Sequence, residues 1–294
     1  MSTTDANPEV PPAEPALPAR RWVRTILTWV LLGASVTALL WAGVWRLSGG
    51  HWERVETPSM GTTAPVGTLL WVEQVPYDQL RVGDFISFKP PGRQGVTFSH
   101  RIVAVNTDGS LSTKGDIAGV DPWRLHRGDV VGRVVMRWWD VGWLVQAAPV
   151  LLLGGVVVAL VRWRVSLSWR LPVAIVGAAL VVCIAIVVYR PLTRAEQLSF
   201  RPVHGVAQAT YVSTGMLPIR LSALSGGHAD MRAGQRGTVL SMKRDAHGRY
   251  PVRVEPNLPW WWWLPVVGVC FLPALWTVVI GRAPAAPPRH IRAS

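Results

Sequence analysis

Cysteine is nearly missing from this chain: 294 residues contain two, Cys183 and Cys270. Both fall inside apolar runs, and neither belongs to a Cys-x-x-Cys or a His-containing ligand cluster. No metal site can be read from them, and no disulfide between them is expected. Acidic residues are also scarce, 17 against 30 Lys and Arg, which leaves a net charge of +13 carried mainly by Arg. Such a balance can mark nucleic-acid binding. Here several arginines flank apolar runs, as the positive-inside rule requires, so the lipid bilayer is the expected partner and nucleic acid is not. Periodicity is absent from residues 1–19, which are rich in Pro, Ala, Thr and acidic residues and read as a disordered tail.

What the chain has in abundance is apolar surface. Half its residues are hydrophobic, 17 are Trp, and the mean hydropathy is +0.26. That composition points to a membrane protein rather than to a large soluble core. After Arg20, Arg21 and Arg24, the run Thr25–Trp45 carries no charge. At about 1.5 Å per residue it spans the ~30 Å hydrocarbon layer. A cleaved signal peptide has a shorter apolar region, of about 7 to 15 residues, and a small-x-small cleavage site. An uncleaved anchor with a cytoplasmic N-terminus is therefore expected.

Four spans follow from the pattern: 24–47, 141–162, 171–189 and 260–281. The tail 1–23, the Arg-rich loop 163–170 and the tail 282–294 are assigned to the cytoplasm, where their charges belong. Two regions then lie outside, 48–140 and 190–259. Trp138, Trp139, Trp143 and Trp260–Trp263 sit where an interfacial aromatic belt would be. The fold class expected is a multi-pass membrane protein: four transmembrane α-helices, a β-rich domain at 48–140 and a second small all-β extracytoplasmic module at 190–259. In the first region β-formers alternate with polar residues, and Asn106-Thr-Asp-Gly109 reads as a hairpin turn between His100–Val105 and Ser110–Lys114. The second region has turns at Gly226-Gly227 and Asp245–Gly248. Its His204, His228 and His247 lack ligand spacing and read as surface residues.

The chemistry is concentrated in three short stretches of the first region: Thr57-Pro-Ser-Met60, Ser99-His-Arg-Ile102 and Thr113-Lys-Gly-Asp116. A serine hydroxyl is a poor nucleophile at neutral pH and needs a base. An imidazole, with an ordinary pKa of about 6.5, suits that task, which makes Ser59 and His100 the candidate dyad. A neutral imidazole in turn needs one nitrogen fixed as donor, and a carboxylate does this in hydrolase triads. Asp116 and Asp121 are the candidates. All of these lie within about 60 residues, on the face expected to be extracytoplasmic.

In order and spacing, Thr57-x-Ser59-Met60, Pro65-Val-Gly67, Leu80-Arg-Val-Gly-Asp84, Ser99-His-Arg-Ile-Val103 and Thr113-Lys-Gly-Asp116 resemble type I signal peptidase, peptidase family S26. The resemblance covers roughly residues 52–135. It is closer to the Ser-His branch of archaea and the endoplasmic reticulum than to the bacterial branch with lysine at the position of His100. It implies a serine endopeptidase of the cytoplasmic membrane that cleaves signal peptides from exported preproteins, with no metal or organic cofactor. It implies that one acidic residue supports His100 without settling which, and that the oxyanion is met by the Ser59 backbone N–H and the Thr57 hydroxyl. The substrate-binding residues are left unassigned. The pattern departs from the family at Pro58, where glycine is usual, and at Thr62, where proline is usual. The alternative is a degenerate peptidase fold kept as a membrane scaffold or binding module.

Overall fold

The computed structural model describes residues 19–93, 95–203, 206–262 and 264. Two compact units divide the chain, one up to His51 and one from Trp52 onward. The first is a single helix, α1 (Ala19–Leu47), which begins before the boundary expected at residue 24. It stops where Gly49 takes φ 87°, a conformation that favours glycine.

The second unit opens with a six-stranded antiparallel sheet built from β1 (His51–Arg54), β2 (Leu69–Glu73), β3 (Phe85–Phe88), β4 (Phe98–Val105), β5 (Leu111–Lys114) and β6 (Val130–Trp138). Its strand order is β1-β2-β6-β3-β4-β5. The hairpin expected at Asn106–Gly109 joins β4 to β5: Gly109 has φ 79°, and Asp108 Oδ1 accepts from the Ser110 N–H at 3.0 Å. Two apolar clusters fill the sheet. One gathers Val55, Met60, Ala64, Leu70, Val72 and Phe85; the other gathers Leu80, Ile86, Phe88, Ile102, Leu111 and Leu125.

Trp139 and Asp140 alone separate β6 from α2 (Val141–Arg164), which is followed by α3 (Arg170–Tyr189). Both helices are long and apolar enough to cross a membrane, whereas the described apolar part of α1, Leu32–Leu47, is shorter. The two helices pack through missing side chains: a Cβ on Gly154 would lie 2.5 Å from Val181, and one on Gly177 would lie 2.6 Å from Val158. Small residues at these points let the backbones approach, which is how helices associate when lipid removes the hydrophobic drive. Of the tryptophans expected in an interfacial belt, Trp138 and Trp139 are exposed. Trp143 is not: it is buried against Gly67, whose Cβ would meet the indole at 1.9 Å. The start of α2 is thus packed against the sheet.

Six more strands follow: β7 (Ala195–Val203), β8 (Val206–Ser213), β9 (Ile219–Ala223), β10 (His228–Met231), β11 (Arg236–Ser241) and β12 (Val252–Pro256). They form two three-stranded sheets, β11-β8-β7 and β10-β9-β12, around Ile219, Leu221, Ala223, Met231 and Val239. His228 and His247 are exposed there, and His204 lies outside the described residues. So do the tails expected at 1–18 and 282–294 and, apart from a short turn at Trp260–Trp262 and Leu264, the span expected at 260–281.

Candidate active site

Ser59 sits in a single 3-10 turn, Pro58–Met60, between an extended Thr57 (φ −117°, ψ 151°) and Gly61 (φ 52°). Pro58 occupies the opening position of the turn, where its fixed φ fits and its missing N–H leaves no bond unmade. The Gly61 N–H closes the turn onto the Pro58 carbonyl at 2.8 Å. Met60, 1% exposed, enters the first apolar cluster and pins the turn from below. Proline in place of the usual glycine is therefore accommodated by local geometry.

His100 lies on β4, pointing to the same side as the buried Ile102, and is itself 4% exposed. Phe88 and Phe98 meet its ring edge-on, at 6.0 and 5.8 Å between centroids, and restrict its orientation. Its Nε2 is 2.9 Å from Ser59 Oγ, and its Nδ1 is 2.7 Å from Asp121 Oδ2. The Thr113 hydroxyl donates to that same Asp121 oxygen at 2.6 Å. Donation from Nδ1–H to the carboxylate leaves Nε2 as the acceptor facing the serine hydroxyl. The arrangement is a buried relay, Asp121–His100–Ser59, steadied by Thr113.

Asp116 stands apart from this relay. Arg101 grips it in a bidentate contact through one guanidinium edge, Nε to Oδ1 and Nη2 to Oδ2, each at 3.0 Å. Arg101 Nη1 also donates to the Gly83 carbonyl at 2.9 Å, and the Thr63 hydroxyl donates to Asp116 Oδ2 at 2.5 Å. The hydrogen bonds from Arg101, followed by the one from Thr63, hold the Asp116 carboxyl below the usual carboxylate range against the opposing effect of burial. Of the two acids left open by the sequence, Asp121 touches His100, and Asp116 clamps the loop to the strand beside it.

Strand parity explains the division. Arg101 pairs with Lys114 and Ile102 with Thr113, so Arg101 and His100 face opposite sides of β4. Asp116, two residues past Lys114, falls on the Arg101 side. The loop then folds back, with Lys114 bridged to Val120 and the Asp121 N–H donating to the Thr113 carbonyl at 2.8 Å. That return brings Asp121 beside Thr113 on the His100 side.

Three residues near Ser59 have no role assigned from the sequence, although Thr113 and Gly115 belong to the Thr113-Lys-Gly-Asp116 motif. Thr113 fixes the acid. The Ile117 N–H donates to the Ser59 carbonyl at 2.9 Å. Gly115 passes so close that a Cβ there would lie 2.7 Å from the Ser59 carbonyl oxygen. The Thr57 hydroxyl, assigned to the oxyanion, is 3.3 Å from Ser59 Oγ. A cleft of about 410 Å³ opens beside Ser59, walled by residues 53–57, 59, 60 and 95–99. Ser59 and Thr57 both border it.

No curated protein matches this chain. A family model does: residues 22–110, which contain Ser59 and His100 and end before Asp116 and Asp121, are similar to the family described as signal peptidase, peptidase S26.

Proposed function

We propose that the protein is a membrane-bound serine endopeptidase that removes signal peptides from exported preproteins, with Ser59 as nucleophile and His100 as general base. The observation that carries this reading is the relay itself: an imidazole within 2.9 Å of a serine hydroxyl, with a carboxylate 2.7 Å behind the ring. His100 Nε2 takes the proton as Ser59 Oγ attacks the scissile carbonyl, and Asp121 stabilises the imidazolium that forms. The proton then passes to the leaving amine, and water repeats the sequence on the acyl-enzyme. The Ser59 backbone N–H and the Thr57 hydroxyl face the developing oxyanion. Asp116 keeps its loop in register rather than moving protons.

The preprotein enters as an extended strand along the 410 Å³ cleft, where main-chain hydrogen bonds supply affinity and small side chains before the cut fill the shallow subsites. The topology assigned to the chain has a cytoplasmic N-terminus, the four spans of the sequence reading, and both β-rich regions outside the cytoplasmic membrane. Enzyme and signal peptide share one bilayer, which raises their effective concentration. A degenerate scaffold would have no use for the buried, aligned relay.

The deciding experiment is cleavage of a model preprotein by membrane-reconstituted wild type, Ser59→Ala, His100→Ala, Asp121→Ala and Asp116→Ala. Loss of cutting in the first two variants, a severe loss in Asp121→Ala and a milder one in Asp116→Ala are expected. A wild type that cuts nothing, or a Ser59→Ala that cuts as well as wild type, overturns the reading in favour of the scaffold.

A further inference from the structure

Ser59 borders a second cleft whose far wall comes from another part of the chain. It encloses about 550 Å³, with Pro58, Ser59 and Ala118 on the near side and Glu196, Thr210 and Arg236 on the far side. The far wall is one face of the β7-β8-β11 sheet. Glu196 and Arg236 pair with the same residue, Val212, from its two sides. They therefore stand in one row on one face, two strand spacings or roughly 10 Å apart. At that distance they do not pair with each other, and neither forms an ion pair among the described residues. Each presents a solvated charge to the cleft.

This wall comes against the Ser59 turn backbone to backbone. Gly234, at φ 75° in the turn before β11, lies so near Gly61 that a Cβ would sit 2.3 Å from the Gly61 carbonyl oxygen. Gly61 is the residue that closes the turn carrying Ser59. The second β module is thus docked one turn away from the nucleophile.

An extended polypeptide with its scissile carbonyl at Ser59 has to continue in both directions. The first cleft includes Val55, Met60, Val96 and Phe98 in its walls, and its charged residues are already engaged, Arg54 with Glu56 and Glu53 with the Ser87 and Ser99 hydroxyls, which suits the half retained as acyl-enzyme. The second is framed by charges of both signs that form no ion pair among the described residues. That suits a half that must dissociate before water reaches the ester, because exposed ionic contacts are weak and quickly exchanged. We propose that the second cleft receives the leaving half of the substrate, and that Arg236 and Glu196 read the charge of its first few residues. This rests on the peptidase reading above and gives the second β module a role in specificity.

The test is a charge scan. Full-length protein in liposomes is given preproteins with single Asp or Lys substitutions at each of the first six positions after the cut, and at matching positions before it. Wild type is expected to favour Asp at the position that meets Arg236, and Arg236→Glu is expected to shift the Asp/Lys ratio in kcat/KM there by about fivefold. Glu196→Lys should shift the Lys-favouring position in the opposite sense, and Arg236→Gln should give an intermediate ratio. Equal effects on every substrate, or a charge dependence confined to positions before the cut, overturn the proposal. Binding of the same peptides to Ser59→Ala, read by fluorescence anisotropy, separates the two readings. Charge-dependent affinity that Ser59→Ala/Arg236→Glu loses supports the cleft even if wild type cuts nothing. Charge-blind affinity and cutting sink the cleft and leave the peptidase intact.

Discussion

Substituting alanine for Gly115 would move Ser59, the proposed nucleophile, without altering any group that carries a proton. The new Cβ would lie 2.7 Å from the Ser59 carbonyl oxygen, 2.9 Å from Ser59 Cβ and 3.1 Å from Ala118 Cβ. Ordinary contacts begin near 3.4 Å, so the tightest must open by 3.4 − 2.7, or about 0.7 Å. None of the three atoms is the free end of a flexible side chain. The loop cannot simply swing away, because the Ile117 N–H holds the Ser59 carbonyl and the Lys114–Val120 bridge closes its base. Part of the displacement therefore reaches Ser59 and stretches its 2.9 Å contact with His100. A misplacement of about 1 Å can cost about 100-fold in rate, so kcat/KM should fall between about 10- and 100-fold. That corresponds to about 1.4–2.7 kcal/mol of transition-state stabilisation. Initial rates on a reconstituted preprotein, read beside a thermal melt, measure the effect. Gly119→Ala is the internal control, since nothing lies within 4 Å of its Cβ position, and it should cut normally. Gly115→Ala cutting within about twofold of wild type at an unchanged melting temperature would refute the argument that this contact is rigid.

Asp121→Asn should reduce kcat by about 10²–10⁴ while leaving the protein folded, because an amide no longer selects the His100 tautomer; retention of half the wild-type rate would exclude that role. Asp116 predicts a stability effect instead. Its carboxyl is held lower in the folded chain than in the unfolded one, so its contribution is present above the unfolded pKa, about 4, and disappears as pH falls through the folded value. Asp116→Asn should flatten the acid limb of the stability–pH curve, and an unchanged limb would argue against the Arg101 clamp. Gly177→Leu should loosen the α2–α3 pair, seen as faster proteolysis in detergent, because its Cβ already has no room beside Val158.

The strands and apolar spans were legible because their periods are local. The alternation in 100–105 and the Asn106–Gly109 turn sufficed to place β4 and β5 within two residues, and charge-free runs sufficed for α2 and α3 within a few residues. Arg164 and Arg170 belong to the helices rather than to the loop between them, since a long cationic side chain extends a helix beyond its apolar stretch without breaking it. Ser59 and His100 could be put forward as a pair from their motifs, and they lie 2.9 Å apart. The choice between Asp116 and Asp121 could not be made, because it depends on how tightly the 115–120 loop doubles back. The parity of Arg101 and Lys114 held part of the answer: it sets Asp116 on the side away from His100. Gly115 and the Trp143–Gly67 contact were hidden for a different reason. Each is a close approach between segments distant in sequence, and a glycine or tryptophan does not announce its neighbour.

The junction between β6 and α2 leaves almost no slack. Two residues join them, Asp140 takes a left-handed conformation at φ 62°, and Trp143 is wedged beneath Gly67 one turn into the helix. Under the proposed topology and function, in which α2 spans the bilayer and Ser59 is the nucleophile, a sheet fastened this way keeps Ser59 at a constant height above the lipid. The junction then acts as a ruler. A substrate whose apolar segment ends at the same membrane surface presents its chain to Ser59 only after a set reach, so the bond that is cut is chosen by distance from the bilayer as well as by the side chains around it.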